Sequence, residues 1–228
     1  TAVFFALEVI SVGVIYYSGL VPCLVSSLAA YGISALFGFH VEIQTTLQIP
    51  DLEIASVLQV AVLGVCCAVL SILYIFIMDG TDTLLLKLFR NPYMRIFAGG
   101  AVLVVLSLLF PSGSYNGSGM PVIFRALDGE ADWWSFLVKI LFTAVTLGAG
   151  FKGGEIVPTF FIGATMGCWA GALLGLDPGF AAAMGLIGTF CGVVNSPVAS
   201  IILGVELFGA EGLIFFGIAC SVSYMLSG

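Results

Sequence analysis

The stretch GFKGGEIVPTFFIGATMG, residues 150–167, holds the residues whose types and spacing could do chemistry. A glycine-rich turn carrying Lys152 and Glu155 leads into an apolar segment, and a proline falls in the first turn of that segment. The first turn of a helix presents N–H groups without partners and the positive end of the helix dipole, and both attract anions. Paired glycines let a ligand approach the backbone closely, and a first-turn proline forfeits no hydrogen bond.

This pattern predicts an anion site at the backbone N–H groups of the turn. Its residues are Gly153, Gly154, Glu155, Ile156 and Val157. An ordinary start of a helix after a loop has the same composition, so both interpretations stay open at this point.

The composition indicates whether the chain is surrounded by water or by lipid. The 228 residues are 61% hydrophobic and 8% charged, with a mean hydropathy of +1.20. Soluble domains carry about a quarter charged residues, so this chain could not cover a water-facing surface with polar groups. The composition predicts an integral protein of the lipid bilayer. A net charge of −7 without a basic patch speaks against nucleic-acid binding.

Apolar runs recur along the chain, and about 20 helical residues are needed for one crossing of a bilayer. The runs predict helices near 2–17, 20–38, 55–78, 93–110, 134–149, 156–175, 180–193, 197–208 and 211–227. Several runs are too short to cross alone, which is typical of broken membrane helices that line a cavity. We therefore expect an all-α membrane protein in which residues 1–228 form a single transmembrane domain without a soluble domain.

Two polar connectors give an expected orientation. Residues 40–53 are acidic, whereas residues 79–95 contain Lys87, Arg90 and Arg95. The positive-inside rule places the connector 79–95 in the cytoplasm and the connector 40–53 outside. The sequence starts without a methionine inside an apolar pattern and stops equally abruptly, so we expect it to be a piece of a longer protein.

Four motifs carry a resemblance to a known family. GFKGGEIVPTFFIGATMG resembles the GxFxP segment of the CLC chloride channels and chloride/proton antiporters, with the FIGATxG-type helix that follows it. FFALEV (4–9), SGSYNGSGMPVI (112–123) and FCGVVNSPVASIILGVELF (190–208) resemble other segments of the family in the same order. Together the motifs span nearly the whole chain.

The resemblance implies a CLC-type inverted-repeat helical bundle with broken helices. This chain would hold the end of the first repeat and most of the second, with the family's gating glutamate and pore tyrosine outside it. The implied protein transports chloride or fluoride across a bacterial plasma membrane, either in exchange for protons or as a passive channel. It needs no metal and no organic cofactor.

The resemblance also implies a homodimer through helices near 20–38 and 180–208. Small residues suit close helix packing in lipid. Those of the second segment are Ala182, Ala183, Gly185 and Gly188, and they could equally pack within one subunit.

Glu155 is the most informative departure within the motif, because chloride members mostly have an apolar residue there. A glutamate at this position, like the run SPVASIILGVELFGAEG, resembles the bacterial fluoride/proton subclass. Val157 stands where some of that subclass have threonine, so chloride and fluoride both remain open. An embedded carboxylate is costly and indicates function, so Glu155 is a candidate for gating and proton binding. The alternative is a solvated side chain paired with Lys152.

Other candidates are weaker. Glu8 is a second candidate for gating or proton binding by resemblance, but we favour a role for its carboxylate in helix capping or packing. For Glu206 we favour a structural role. Lys152, Phe160 and Phe161 are candidates for the anion pathway, and the two aromatic rings could instead face lipid. His40 is expected at the surface. The six cysteines lie in apolar runs without metal-ligand spacing.

Two other classes of function are compatible with an apolar chain of this kind. A membrane enzyme would need a nucleophile beside a base or a metal cluster, and no GxSxG or HExxH motif occurs, so we expect no enzyme. A noncatalytic, dimerising membrane fragment of a transporter is the other alternative.

Overall fold

A computed structural model of the chain describes residues 1–9, 17–38, 47–110 and 113–228. Within these ranges the chain is α-helical and contains no β-strand. The helices are α1 (Ala2–Val9), α2 (Leu20–Leu36), α3 (Ile54–Leu88), α4 (Pro92–Leu109), α5 (Met120–Leu127), α6 (Ser135–Gly148), α7 (Ile156–Leu174), α8 (Pro178–Val194), α9 (Pro197–Phe208) and α10 (Leu213–Ser227). The predicted all-α fold is confirmed.

Five segments among the described residues are long and apolar enough to cross a membrane. They are Tyr17–Leu36, Ile54–Leu88, Pro92–Leu109, Ile156–Leu174 and Ala210–Ser227. The helices α6, α8 and α9 are apolar but shorter, and short segments of this kind can end at membrane depth where protein or a cavity covers them. The mixture of long and short helices agrees with the predicted broken-helix architecture.

The prediction of a polar connector over residues 79–95 is wrong for most of that range. Helix α3 continues to Leu88, so only a short turn separates it from α4. Thr81 to Leu88 contains no proline, and its leucines and lysine are good helix formers, so the polar residues before it do not stop the helix. The turn ends where Asn91 accepts a hydrogen bond from the Tyr93 N–H at 3.0 Å and caps α4.

Helix α8 forms the centre of the bundle. It packs against α7, α3 and α10, and its side chains from Gly179 to Gly192 are buried without interruption. Glycines allow α7 and α8 to approach backbone to backbone: a Cβ on Gly163 would lie 2.5 Å from the carbonyl oxygen of Gly185. This close contact fixes α7 firmly against the core of the protein.

The small residues considered for a dimer interface pack inside the chain. Ala182, Ala183 and Gly185 are fully buried, and a Cβ on Gly188 would lie 3.0 Å from Cys67 Sγ on α3. These residues therefore pack within one subunit, which was the alternative to a dimer interface. Within the predicted interface segments, the exposed surface lies mainly on two helices. Helix α2 has no buried side chain, and α9 has three buried residues.

The short helix α5 was not among the predicted helices. The loop 113–119 turns through Gly113, Gly117 and Gly119, which all have positive φ. A Cβ on Gly119 would lie 2.5 Å from the ring of Phe161, so this position needs glycine for both conformation and space. His40, the first half of the connector 40–53 and residues 10–16 of the predicted span 2–17 lie outside the described residues.

Candidate functional site

The start of α7 has the geometry that the sequence predicts for an anion site. Glu155 occupies the N-cap position, and no side chain caps the helix. The first backbone hydrogen bond of the helix runs from the Thr159 N–H to the Glu155 carbonyl at 3.0 Å. Among the described residues, no acceptor is found for the N–H groups of residues 153–157. These donors stand at the positive end of a 19-residue helix.

A cavity of about 450 Å³ opens beside this helix start. Of the predicted site residues, Gly153, Gly154, Ile156 and Val157 line it. The rest of the wall comes from α4, α6 and the loop before α5, and its surface is mainly apolar. Its polar residues are Tyr115, Asn116, Ser118, Lys139, Thr143 and Thr146. The cavity therefore joins the free backbone donors to a mainly apolar wall that holds one lysine.

Lys139 is the charged residue of this wall. Its side chain is only 2% exposed, and its ammonium donates to the carbonyl oxygens of Tyr115 at 3.1 Å and Gly117 at 2.7 Å. In the described part of the chain it forms no ion pair with a carboxylate. A buried cation that is solvated by neutral carbonyls keeps its field available to an anion in the cavity.

An aromatic cluster holds Lys139 in place. The ammonium lies 5.1 Å from the centre of the Phe161 ring, within the range of a cation–π contact. The Phe161 ring packs at 6.0 Å against Tyr115, whose hydroxyl lies 3.1 Å from that of Ser135. The cluster connects the loop before α5 with α6 and α7, so the cation is packed against the same helix that presents the donors.

Glu155 and Lys152 lie at the same turn but outside the cavity wall. Both side chains are exposed, and neither lines the cavity. The structure records no ion pair between them among the described residues, so the solvated pair considered from the sequence is not formed. Only the backbone N–H of Glu155 joins the other donors at the helix start.

The two phenylalanines considered for the pathway differ in burial. Phe161 is fully buried in the aromatic cluster and does not line this cavity, so it does not face lipid. It packs against α6 and the loop before α5. Phe160 is partly buried and packs edge-on against Phe190 at 5.1 Å.

Comparisons with known proteins identify the family of the chain. The family model described as "Voltage gated chloride channel" matches residues 1–228. A chloride/fluoride channel protein of Pseudomonas syringae pv. tomato is 33% identical over 230 residues, which cover 98% of this chain and 51% of that protein. The chain belongs to the voltage-gated chloride channel, or CLC, family.

More distant relatives and a solved structure support the membership. The voltage-gated ClC-type chloride channel ClcB of Citrobacter koseri is 26% identical over 98% of this chain and 54% of that protein. The crystal structure of a CLC-type fluoride/proton antiporter superposes with a TM-score of 0.94 at 32% identity, over 98% of this chain and 57% of that one. The chain thus spans about half the length of these CLC proteins.

Glu8 lies far from the start of α7 in this CLC chain. Its carboxylate accepts hydrogen bonds from the backbone N–H groups of Val198 at 3.2 Å and Ala199 at 2.8 Å. It therefore caps the first turn of α9, and a carboxylate there is favoured by the helix dipole. This geometry matches the capping role that we favoured over proton relay. Glu206 lies at the other end of α9, and its carboxylate accepts a hydrogen bond from the hydroxyl of Thr1.

The sequence interpretation missed two residues near the site. Lys139 is a lone cation within an apolar run, and an embedded charge of that kind could have marked it as functional. Tyr74 lies on α3, about eighty residues before α7, and is only 1% exposed. No sequence signal links it to α7, because their contact arises only from the packing of the two helices.

Proposed function

We propose that the complete protein to which this chain belongs transports a small inorganic anion, chloride or fluoride, across a bacterial plasma membrane. The observation that carries the proposal is the set of backbone N–H donors at residues 153–157, which have no acceptor in the described chain and border the cavity of Lys139. Donors fixed at a helix terminus bind an anion without the desolvation of a fully charged partner.

Chemistry at this site favours selection of a small anion. The donors are short and rigid, and the one buried cation among the described residues is already held by two carbonyls. A large or multiply charged anion would have to break those contacts. Binding is therefore moderate rather than tight, which a transport site requires for release.

Glu155 supplies a route for coupling anion movement to protons in this proposal. An ionised carboxylate beside the helix N-terminus competes with the transported anion for the same N–H donors. Protonation removes the competition. In a passive channel the same glutamate would regulate opening without exchange. The antiporter and the chloride/fluoride channel among the relatives correspond to these two outcomes.

The test is anion efflux from liposomes that contain the full-length protein. Chloride-loaded and fluoride-loaded vesicles are measured with and without a proton gradient. We expect efflux of at least one of the two anions above that of protein-free vesicles. Uphill proton movement driven by an anion gradient would identify exchange, and its absence would identify a channel. Full-length protein that releases neither anion would overturn the proposal in favour of a noncatalytic membrane scaffold.

The proposal extends to assembly and orientation. We place a homodimer interface on α2 and α9, which retain exposed apolar surface in this chain. The turn between α3 and α4, with Lys87 and Arg90, is placed in the cytoplasm and the connector 40–53 outside, because basic residues favour the inner face of a membrane.

A further inference from the structure

Arg95 lies in the first turn of α4 and is half-buried, whereas Lys87 and Arg90 just before it are exposed. Its guanidinium donates from Nε to the carbonyl oxygen of Ala149 at 3.3 Å. In the described part of the chain it forms no ion pair with a carboxylate. A cation within a membrane-spanning helix is costly to place, so the group that Arg95 contacts indicates what it does there.

That group is the C-terminal end of α6. Ala149 follows the last turn of α6, where carbonyl oxygens have no partner within the helix. The helix dipole places partial negative charge at this end, so a cation that donates to the carbonyl is favoured. The guanidinium also covers Gly150, which has a φ of +96°, because a Cβ there would lie 3.2 Å from Arg95 Nη2. Arg95 therefore caps α6 and covers the turn 149–151 that follows it.

Two glycines of α4 hold the same turn. They lie four and five residues after Arg95, on the helix face that Arg95 shares. Gly99 is the one buried residue of α4, and a Cβ on it would lie 2.2 Å from Ala149 Cβ. A Cβ on Gly100 would lie 3.6 Å from the ring of Phe151. Among the described residues α4 packs mainly against α6, so this contact fixes the two helices to each other.

The turn 149–151 lies directly before the proposed anion donors. Its three N–H groups donate to carbonyl oxygens of α6 at 2.9 to 3.2 Å. Only Lys152 separates the turn from Gly153, the first donor, and so short a connection cannot absorb a displacement. A movement of the turn therefore moves the N–H groups at 153–157 relative to the cavity.

We propose that Arg95 is a positioning residue for the anion site, holding the end of α6 and the turn 149–151 so that the donors at 153–157 keep their place at the cavity. This inference rests on the proposed function and adds a residue of α4 to it. Arg95 does not line the cavity, so it acts through the turn and not on the anion. The planar fork of arginine can bond a carbonyl through Nε while its Nη groups cover Gly150, which a lysine ammonium cannot do.

The experiment measures the binding of chloride and fluoride to the full-length protein by isothermal titration. Arg95→Met removes the guanidinium but keeps an unbranched apolar side chain, whereas Arg95→Lys keeps the charge without the fork. Arg90→Met is the matched control, because it removes an exposed charge from the same end of α4. We expect Arg95→Met to bind about tenfold more weakly, the effect of one lost charge-assisted hydrogen bond. Arg95→Lys should be intermediate, and Arg90→Met should match the wild type.

Hydrogen exchange of the backbone amides at 149–151, measured without anion, tests the contact independently of binding. We expect faster exchange in Arg95→Met than in the wild type or Arg90→Met, because the turn loses a contact that holds it closed. Adding Arg95→Met to Gly154→Val should weaken binding little beyond Gly154→Val alone, because both changes act on the same donors.

Three outcomes would overturn the inference while leaving anion transport intact. Wild-type affinity in a folded Arg95→Met protein would show that the contact does not position the donors. An equal loss in Arg90→Met, or a loss without faster exchange, would show that charge and not the contact matters. If Arg95→Met fails to fold, wild-type affinity and exchange in Arg95→Lys overturn the inference in its place. A wild type that binds neither anion would instead reject the proposed anion site, and the exchange at 149–151 would still test the contact.

Discussion

At the scale of single residues, the proposed site combines neutral donors with one buried cation in the same cavity. In this proposal the N–H groups at the start of α7 supply directional contacts, and Lys139 supplies a positive electrostatic field. A full charge in direct contact with the anion would retain it too strongly for transport. Two backbone carbonyls accept hydrogen bonds from the ammonium. These hydrogen bonds weaken the attraction between the ammonium and an anion but leave the positive charge in place.

Lys139→Met is expected to weaken apparent anion affinity on the order of tenfold, the factor that corresponds to about 1.4 kcal/mol. Methionine fills a similar volume but carries no charge, so the positive field in the cavity is lost. The concentration dependence of efflux from liposomes measures this affinity. Lys139→Arg, which keeps the charge, should lie between the methionine variant and the wild type. Equal affinities for all three proteins would show that the cation is purely structural.

At the scale of elements, the position of α7 depends on its glycine contacts with α8. Gly163, Gly167 and Gly185 bring the two backbones together, and a Cβ on Gly185 would lie 2.6 Å from the Cα of Gly167. Because the start of α7 presents the donors, a shift of this helix moves them relative to the cavity. The stability of the helix pair and the function of the site are therefore linked.

Gly185→Ala should lower the free energy of unfolding by roughly 1–3 kcal/mol, the usual cost of overpacking a close contact. Unfolding of the full-length protein in detergent measures the change. Gly217→Ala is the matched control, because Gly217 is also inside a helix but a Cβ there would meet no atom within 4 Å. If both variants are equally stable, α7 and α8 do not depend on this contact.

The sequence predicted most of the elements because the apolar runs and their glycine and proline boundaries are local signals. Segments such as Ile156–Leu174 and Pro197–Phe208 agree with prediction to within a residue. Prediction failed where local polarity misled it, as at the end of α3, whose polar residues were taken for a connector. The helix start at 153–157 was equally visible from the sequence. Lys139 and Tyr74 were not, because each reaches α7 only through tertiary packing.

At the scale of the whole molecule, apolar surface that the chain does not cover is concentrated on a few helices. No side chain of α2 is buried, and α4 buries only Gly99. Helix α9 buries three residues and contacts α1. In the proposed homodimer the subunit contact lies on α2 and α9, and lipid covers α4.

Tryptophan at Ile201 and Ile202 together should convert a dimer into monomers in detergent. The larger rings would crowd a close helix contact between subunits, and both positions are only partly buried within the chain. Light scattering of the purified full-length protein measures the mass. Val104→Trp on α4, at a highly exposed position, is the control and should leave the mass unchanged. A dimer that persists in the α9 variant would place the interface elsewhere.

The central claim is that backbone N–H groups at the start of α7 bind the anion, and Gly154→Val tests it most directly. A Cβ at Gly154 would meet no protein atom within 4 Å, so valine can be tolerated by the fold while it occupies the approach to the donors. Isothermal titration of chloride and fluoride into the full-length wild type and the variant measures the effect. We predict that the variant unfolds like the wild type but binds the anion at least about tenfold more weakly, a loss of about 1.4 kcal/mol. Equal affinity in a folded Gly154→Val protein would contradict the account.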